Sequence, residues 1–295
     1  MTELIQIKHA THYTYDRAAT LGTQCIRLKP NGYDPAKLES YALKIVPEPE
    51  SIDWYVDVYG NQVASASFDK PTTELHIEVD FLIRLQELEP EAAYLEGNCV
   101  TYPYFYSYEE RKKIHPFLGA PEPTPLFEAY CDQLRVYEIS TLELMDRINK
   151  TIFQDITYNK RFEPGIYSPE ETLRQKTGCC RDVAWLLVNI FRKLGMAARF
   201  VSGYAIRGVS DETGEREEVD LHAWCEVYLT GMGWIGLDAT SGLYCGALHI
   251  PLAAAAYPFS TAPVEGVLSK CFSSFWVEMQ LNRITTPASQ ENRKL

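Results

Sequence analysis

The first third of the chain alternates hydrophobic and polar residues with the period of two that is typical of β-strands. Residues 41–46 and 75–83 are the clearest runs, and both are rich in β-branched and aromatic side chains. Turn-forming residues separate such runs, as at 29–32 and 59–61. Since no window in this region has helical periodicity, residues 1–85 are predicted to form an antiparallel β-sandwich domain.

Residues 86–125 differ in composition from the regions on either side. They start acidic, continue with many tyrosines and end in a cluster of prolines. We interpret this segment as a connector between two domains. Its tyrosines are expected to pack across a protein surface rather than to bind a ligand.

From residue 126 onward, helical periodicity comes first and strand-like patterns follow. Ser140 and Ser168 are candidate N-caps of two helices, and another helix covers about residues 180–194. Strands are then predicted at residues 198–204, 221–228 and 234–238. Helices followed by a sheet are the order of an α+β fold, so residues 126–295 are predicted to form an α+β core.

The composition narrows the class of protein and the class of partner. Of the 295 residues, 46% are hydrophobic and 23% are charged, which excludes general disorder. The 28 basic and 40 acidic residues give a formal net charge of −12. Nucleic acids and anionic membranes call for a basic face, so neither is expected as a partner. A local basic pocket remains compatible with this total.

The beginning of the chain has no basic stretch followed by an apolar one, and no run of about 18 apolar residues occurs. Neither a secretory signal nor a transmembrane helix is therefore predicted, and we expect a cytoplasmic protein. Thiols stay reduced in that compartment. The eight cysteines are then interpreted as buried thiols, metal ligands or one nucleophile.

A cysteine at the start of the apolar helix that follows Gly178, either Cys179 or Cys180, is the candidate nucleophile. The N-terminus of a helix carries the positive end of the helix dipole and free backbone N–H groups. Both favour the thiolate, so a lowered pKa is predicted for this thiol, and the N–H groups can stabilise an oxyanion. Adjacent helical residues point in different directions, so only one of the two thiols can face a given base.

A histidine and an aspartate follow on neighbouring predicted strands. Alternation along residues 221–228 places His222 on the same strand face as Trp224, and Asp238 lies on the next strand. A five-residue connection centred on Thr230 would place His222 directly opposite Asp238. The order Cys, His, Asp fits an activated nucleophile, with the histidine accepting the thiol proton and the aspartate orienting the ring.

The competing interpretation is a zinc site formed by the cysteines of this region with His222. Structural zinc sites usually pair their cysteines two to four residues apart, whereas Cys179 and Cys180 are adjacent. Cys225 also lies on the strand face opposite His222. Neither a metal nor a cofactor is therefore expected.

The segments around Cys180, His222 and Asp238 resemble the catalytic core of the transglutaminase-like superfamily, a branch of the papain-like cysteine enzymes. The most similar group is bacterial, includes proteins regarded as cysteine proteases, and carries an N-terminal β domain before the core. Residues 178–182 resemble its Gly-x-Cys-Arg-Asp signature. This resemblance assigns the nucleophile to Cys180 rather than to Cys179, and Cys179 is then expected to pack in the core.

The resemblance also implies the fold of the core and the position of its substrate pocket. The expected core is papain-like, with helices packed on an antiparallel sheet. The residues expected along the pocket are Glu163, Tyr167, Tyr204, Trp224 and His249. Tyr167 departs from the group, which often has glutamine near this position, so no side-chain oxyanion donor is carried over.

The chemistry implied by the resemblance is acyl transfer from an amide or peptide bond through a thioester on Cys180. Hydrolysis is the favoured outcome by analogy with microbial members of the superfamily, which makes the protein a cysteine protease or amidase. An amine acceptor would make it a protein-glutamine transglutaminase. A third alternative is a non-catalytic peptide-binding or assembly module. The expected partner is a peptide, protein or amide substrate, while the oligomeric state and calcium dependence stay open.

Overall fold

The structure is a computed structural model that describes residues 2–30, 37–86, 97–120, 122–161, 163–211 and 214–284. The α-helices within these ranges are α1 (Tyr108–Ile114), α2 (Pro125–Leu134), α3 (Thr141–Asp155), α4 (Pro169–Gln175) and α5 (Cys180–Lys193). The strands are β1 (Thr2–Ala19), β2 (Leu21–Ile26), β3 (Lys37–Val46), β4 (Ser51–Val56), β5 (Gln62–Ser67), β6 (Thr72–Gln86), β7 (Thr101–Tyr102), β8 (Ile139–Ser140), β9 (Thr157–Tyr158), β10 (Thr177–Gly178), β11 (Ala198–Asp211), β12 (Gly214–Leu229), β13 (Gly233–Asp238), β14 (Leu243–Tyr244), β15 (His249–Ala255), β16 (Val264–Leu268) and β17 (Ser273–Ile284). None of the helices in the described part of the chain is long and apolar enough to cross a membrane.

Two four-stranded sheets form the N-terminal domain, in the strand orders β17-β1-β6-β3 and β16-β2-β5-β4. The pairing within both sheets is antiparallel. Alternate residues of the long strands turn inward, so that Ile5, Ile77 and Phe81 are fully buried. They meet Ile26 and Ala64 of the other sheet in one apolar cluster. The predicted N-terminal β domain is therefore confirmed.

The last two strands return to the N-terminal domain. β17 runs antiparallel to β1, with Ile284 opposite Leu4, and β16 pairs with β2. Residues 264–284 were expected within the core of residues 126–295, whereas their strand hydrogen bonds go to the N-terminal sheets. A local hydrophobic pattern can identify such a strand, but it does not specify a partner so far away in the sequence.

A five-stranded antiparallel sheet, in the order β14-β13-β12-β11-β15, forms the centre of the second domain. The apolar side of α5 packs on this sheet, and its Leu186, Leu187 and Ile190 are fully buried. They share one cluster with Phe200 of β11 and Cys225 of β12. The α+β class that was expected from the order of the elements is confirmed.

The tyrosine-rich segment contributes directly to this second core. Tyr102, Tyr104 and Tyr106 are buried in the cluster around α5. The hydroxyl of Tyr102 donates to the carbonyl oxygen of Leu194 at 3.1 Å, and that of Tyr106 donates to the carbonyl oxygen of Tyr228 at 2.8 Å. These tyrosines therefore pack against the helix and the sheet, while residues 87–96 of the connector lie outside the described residues.

The two domains share an apolar cluster. Tyr204 and Ile250 of the five-stranded sheet are buried in the same cluster as Phe81 of the N-terminal domain. The hydroxyl of Tyr204 also lies 2.8 Å from Nδ1 of His9, which is 1% exposed. The N-terminal domain therefore supports part of the sheet that carries the candidate site.

Candidate active site

Cys180 is the first residue of α5, and Cys179 is the N-cap of this helix. The N–H groups of Asp182 and Val183 make the first backbone bonds, to the carbonyl oxygen of Cys179. The N–H of Cys180 therefore precedes the helical ladder and lies at the positive end of the helix dipole. Cys180 keeps part of its surface exposed, whereas Cys179 is 3% exposed.

Asp182 fixes the start of this helix. One carboxylate oxygen, Oδ2, accepts from the backbone N–H of Cys179 at 2.9 Å and from its thiol at 3.1 Å. The other oxygen, Oδ1, accepts from the N–H of Tyr167 and from Nη2 of Arg161, both at 2.7 Å. Burial acts to raise the pKa of Asp182, but these hydrogen bonds outweigh it and leave the pKa lowered. Cys179 is thus a structural residue whose thiol is already bonded.

Asp238 lies against the imidazole of His222, with Oδ2 of the carboxylate 3.0 Å from Nε2 of the ring. Its other oxygen accepts from the N–H of Thr240 at 2.9 Å and from the Thr240 hydroxyl at 2.8 Å. Because a carboxylate only accepts, the proton of the neutral ring is assigned to Nε2 and the lone pair to Nδ1. This is the ring orientation that a general base needs.

The connection between β12 and β13 differs from the predicted one. It has three residues, 230–232, rather than five. Cys225 pairs with Leu237, so the next residue, Asp238, lies opposite Trp224. Trp224 is two residues from His222 on the same strand face. Both connections are odd in length, so the side chains of His222 and Asp238 still share a face, and they meet diagonally instead of directly.

The thiol of Cys180 lies against the strand that carries the candidate base. The backbone N–H of Ala223, the residue after His222, is near enough to the thiol to act to lower its pKa. Burial nevertheless raises the pKa of Cys180 to about 11. Burial also lowers the pKa of His222, despite the hydrogen bond to Asp238. The prediction of a lowered thiol pKa is therefore wrong for the resting state, because burial outweighs the effect of the helix terminus. These two shifts favour a neutral thiol at Cys180 and a neutral imidazole at His222.

His249 is the second histidine on Asp238, with its Nε2 3.3 Å from Oδ2 of the carboxylate. Burial acts to raise the pKa of Asp238, but the hydrogen bonds from His222 and His249 outweigh it and hold the pKa far below its usual range. The sequence analysis expected His249 along the substrate pocket. The structure places its ring against Asp238, the carboxylate that also contacts His222.

The same three side chains carry donor atoms that metals use, and these atoms of His222, Asp238 and His249 all lie within 4.8 Å of one another. Each histidine, however, directs Nε2 at the carboxylate at a distance typical of an N–H···O hydrogen bond. Arg207 also brings a cation to these atoms, with its Nη2 3.7 Å from Oδ2 of Asp238. We therefore interpret the cluster as a hydrogen-bonded unit.

Arg207 is a site residue that the sequence analysis missed. Its Nη2 lies 2.9 Å from Nε2 and 3.2 Å from Nδ1 of His222, and 3.1 Å from Oγ1 of Thr240. Gly203 pairs with His222 across β11 and β12. Positions 203, 205 and 207 share one strand face, so this register could have identified Arg207.

Trp224 and Tyr204, both expected along the pocket, are buried. Trp224 is 1% exposed, and its ring packs edge-on against that of His249, with 5.4 Å between the centroids. Trp224 therefore packs against His249 from the interior of the protein. Tyr204 follows Gly203, which pairs with His222, so it lies on the opposite strand face and packs toward the N-terminal domain.

Tyr167 and Glu163 belong to the loop before the nucleophile helix. The backbone N–H of Tyr167 bonds to Asp182, and its ring lies under the guanidinium of Arg161, with Cζ 4.2 Å from the ring centre. Glu163 has an exposed side chain, and its carbonyl oxygen accepts from Nη2 of Arg181 at 3.0 Å. The structure thus places both residues among the contacts that shape this loop.

Two family models match this chain. The transglutaminase-like superfamily model matches residues 128–239, which include all of α5 and the strands of His222 and Asp238. The model of the bacterial transglutaminase-like N-terminal region matches residues 5–84. The two matched ranges correspond to the N-terminal β domain and to the domain that carries the candidate site.

Relatives and a solved structure extend this similarity over most of the chain. Uncharacterized protein ML0607 of Mycobacterium leprae is 23% identical over 273 residues, covering 90% of this chain and 93% of that protein. Uncharacterized protein Rv2569c of Mycobacterium tuberculosis is 22% identical over 281 residues, covering 90% and 88%. The crystal structure of a "Putative Cysteine Protease" from Cytophaga hutchinsonii superposes with a TM-score of 0.70 and 17% identity, covering 97% of this chain and 92% of that one. This similarity extends the shared fold across both domains.

Proposed function

Because this chain belongs to the transglutaminase-like superfamily, we propose that it is a thiol-dependent enzyme that transfers the acyl group of an amide through a Cys180–His222–Asp238 triad. The observation that carries the proposal is the orientation of His222. Asp238 bonds to Nε2 and leaves the Nδ1 lone pair to serve as base. Cys180 lies beside this strand at the start of α5.

The first half of the reaction forms a thioester. Nδ1 of His222 takes the proton of the Cys180 thiol as Sγ attacks the amide carbonyl carbon, and a C–S bond forms. The free N–H of Cys180 at the helix start faces the developing oxyanion. The C–N bond then breaks, and the imidazolium of His222 returns its proton to the leaving amine. Asp238 stabilises the transient charge on the ring.

The second half of the reaction depends on the acceptor. Water, deprotonated by His222, attacks the thioester carbonyl and releases a carboxylic acid and the Cys180 thiol. We propose hydrolysis as the main outcome, by analogy with microbial superfamily members and with the name of the Cytophaga protein. A primary amine in place of water would give a new amide, which is the transglutaminase outcome.

We further propose a peptide or protein as the source of the amide and the cytoplasm as the location. An acidic chain with a net charge of −12 fits a peptide partner better than a nucleic acid or an anionic membrane. All eight cysteines are free thiols, which fits a reducing compartment.

Mass spectrometry of the enzyme incubated with a peptide library, with and without a primary amine, tests this function. The wild type should cleave amides and carry an acyl group on Cys180, whereas Cys180→Ala and His222→Ala should do neither. Cys25→Ser removes a thiol in the N-terminal domain and should behave like the wild type. Cleavage that survives in Cys180→Ala would contradict the triad. Amine incorporation as the main product would favour the transglutaminase alternative over hydrolysis.

A further inference from the structure

Arg207 lies over the base of the proposed triad at the open side of the site. Its side chain is 38% exposed, whereas that of His222 is 2% exposed. Nη2 of Arg207 contacts both ring nitrogens of His222 and the hydroxyl of Thr240. The guanidinium carbon lies 5.9 Å from the ring centre of Tyr158. Solvent or a ligand can therefore reach this guanidinium without disturbing the buried ring.

The contact between Arg207 and His222 competes with the proposed chemistry. Nη2 lies at similar distances from the two ring nitrogens of His222, 2.9 Å from Nε2 and 3.2 Å from Nδ1, so this cation lies over the face of the ring. A proton taken from Cys180 would place a second positive charge directly against this guanidinium. The charge of Arg207 also acts to lower the pKa of His222. While Arg207 stays in this position, His222 is a poor base.

The shape of a guanidinium indicates which ligand would pair with Arg207 and offset its charge. It binds a carboxylate through two parallel N–H groups, using either Nε with Nη2 or Nη1 with Nη2. Both pairs include Nη2, the atom that contacts His222. Among the described residues, neither Nε nor Nη1 of Arg207 has a hydrogen-bond acceptor. A carboxylate that binds with two hydrogen bonds therefore takes one N–H of Nη2 and places its negative charge against the cation, which offsets the effect of that cation on the ring.

We propose that Arg207 selects amide substrates with a carboxylate next to the scissile bond, and that pairing with this carboxylate frees His222 to deprotonate Cys180. The substrate class is then a peptide amide with an acidic side chain or a terminal carboxylate on an adjoining residue. This inference rests on the proposed function, because it presupposes Cys180 as the nucleophile. It links substrate recognition to activation of the thiol through one side chain.

Alkylation of Cys180 by iodoacetate and by iodoacetamide tests the proposal without a known substrate. In both reactions a C–S bond forms as iodide leaves and His222 takes the thiol proton, but only iodoacetate carries a carboxylate. The measured quantity is the rate constant for iodoacetate divided by that for iodoacetamide, both at neutral pH. Peptide mass spectrometry locates the labelled residue. This ratio should fall by about tenfold or more in Arg207→Met, since charge-assisted hydrogen bonds are lost. The iodoacetamide rate alone should rise.

Lys160→Met is the matched control, because it removes an equal charge from a neighbouring lysine that pairs with Asp220 at 3.5 Å. Its ratio should stay near that of the wild type. An unchanged ratio in Arg207→Met, or an equal fall in Lys160→Met, would overturn the inference while a reactive Cys180 left the proposed function intact. If no variant is labelled at Cys180 faster than at its other thiols, the proposed function fails as well.

Arg207→Lys provides a second comparison if Arg207→Met does not fold. Lysine keeps the positive charge but lacks the planar pair of N–H donors. A ratio below that of the wild type supports recognition of the carboxylate by the paired N–H donors of the guanidinium. A ratio equal to that of the wild type shows that charge alone attracts iodoacetate and overturns the proposal.

Discussion

Oδ2 of Asp238 lies 3.0 Å from Nε2 of His222, although the two residues sit diagonally across the β12–β13 hairpin. Thr240 holds the other carboxylate oxygen through its N–H and its hydroxyl. The carboxylate is therefore directed at the ring, and it fixes which ring nitrogen can act as the base. Chemistry at Cys180 should depend on this one hydrogen bond more than on any other side-chain contact of the site.

Replacing Asp238 with asparagine should reduce kcat by roughly 10²–10⁴-fold and change KM little. The amide keeps the shape of the carboxylate, but it does not stabilise the imidazolium and can turn an N–H toward the ring. Steady-state kinetics on an amide substrate measures the loss. Asp220→Asn makes the same chemical change at an exposed residue of β12 and should keep nearly full activity. A loss below about threefold in Asp238→Asn would contradict the role of this carboxylate.

His249→Phe tests the second histidine on Asp238. Phenylalanine keeps a ring against Trp224 but removes the N–H donor 3.3 Å from the carboxylate. We expect kcat/KM to fall about tenfold, since a hydrogen bond to a charged group is lost. His249 also acts to lower the pKa of His222, so the acid limb of the pH profile should move to higher pH.

The pH profile separates positioning from a general loss of structure. His249→Gln retains an N–H donor and should recover part of the activity. A variant that is merely misfolded would lose activity equally at every pH. An acid limb that stays in place in His249→Phe, at full activity, would show that this histidine plays no part in orienting Asp238.

Local patterns predicted the elements of the site because each depends on nearby residues. The helix start at Cys180 follows from the glycine and the apolar run around it, and the shared face of His222 and Asp238 follows from strand alternation. The exact pairing of β12 with β13 could not be predicted in the same way, because connections of three and of five residues fit the same alternation. The pKa of the Cys180 thiol also differed from the predicted direction, since burial depends on the fold around Cys180 rather than on its place in the helix.

The sequence patterns did not predict contacts between segments that are far apart in the chain. Arg207 lies on β11, and its contact with His222 appears only once the register of β11 with β12 is known. His249 was noticed as part of a motif, but its contact with Asp238 requires the turns that bring β15 back beside β11. The pairing of β17 with β1 joins the two ends of the described chain, which periodicity alone does not specify.

Removing β17 should destabilise the N-terminal domain far more than the core. A chain ending at Leu268 removes the β17 partner of β1 from Leu4 to Tyr15, so that β1 becomes an edge strand paired only with β6. The expected loss is on the order of 5 kcal/mol, comparable to the stability of a small domain. Hydrogen exchange should show β1 amides losing protection while α5 keeps it. A chain ending at Ile284 is the control, and unchanged protection of β1 in the shorter chain would refute the expectation.

His9 should make the stability of the protein fall as the solution becomes acidic. The ring is 1% exposed and is bonded to Tyr204 and Thr11, each at 2.8 Å. Burial lowers the pKa of His9 to about 4 in the folded protein, while the unfolded chain binds this proton below a pH of about 6.5. Between these values the unfolded state holds more protons. Stability should therefore fall from about pH 6.5 to pH 4, by up to about 3 kcal/mol from this residue.

Urea unfolding at several pH values measures this effect, with His9→Gln as the test variant. Glutamine cannot take up the proton, so the variant should lose less stability than the wild type between pH 6.5 and pH 4, even if its stability at neutral pH is lower. His115→Gln changes an exposed histidine and should keep the slope of the wild type. Parallel slopes for His9→Gln and the wild type would mean that acid sensitivity arises elsewhere, because linkage requires the slope to shrink when the shifted group is removed.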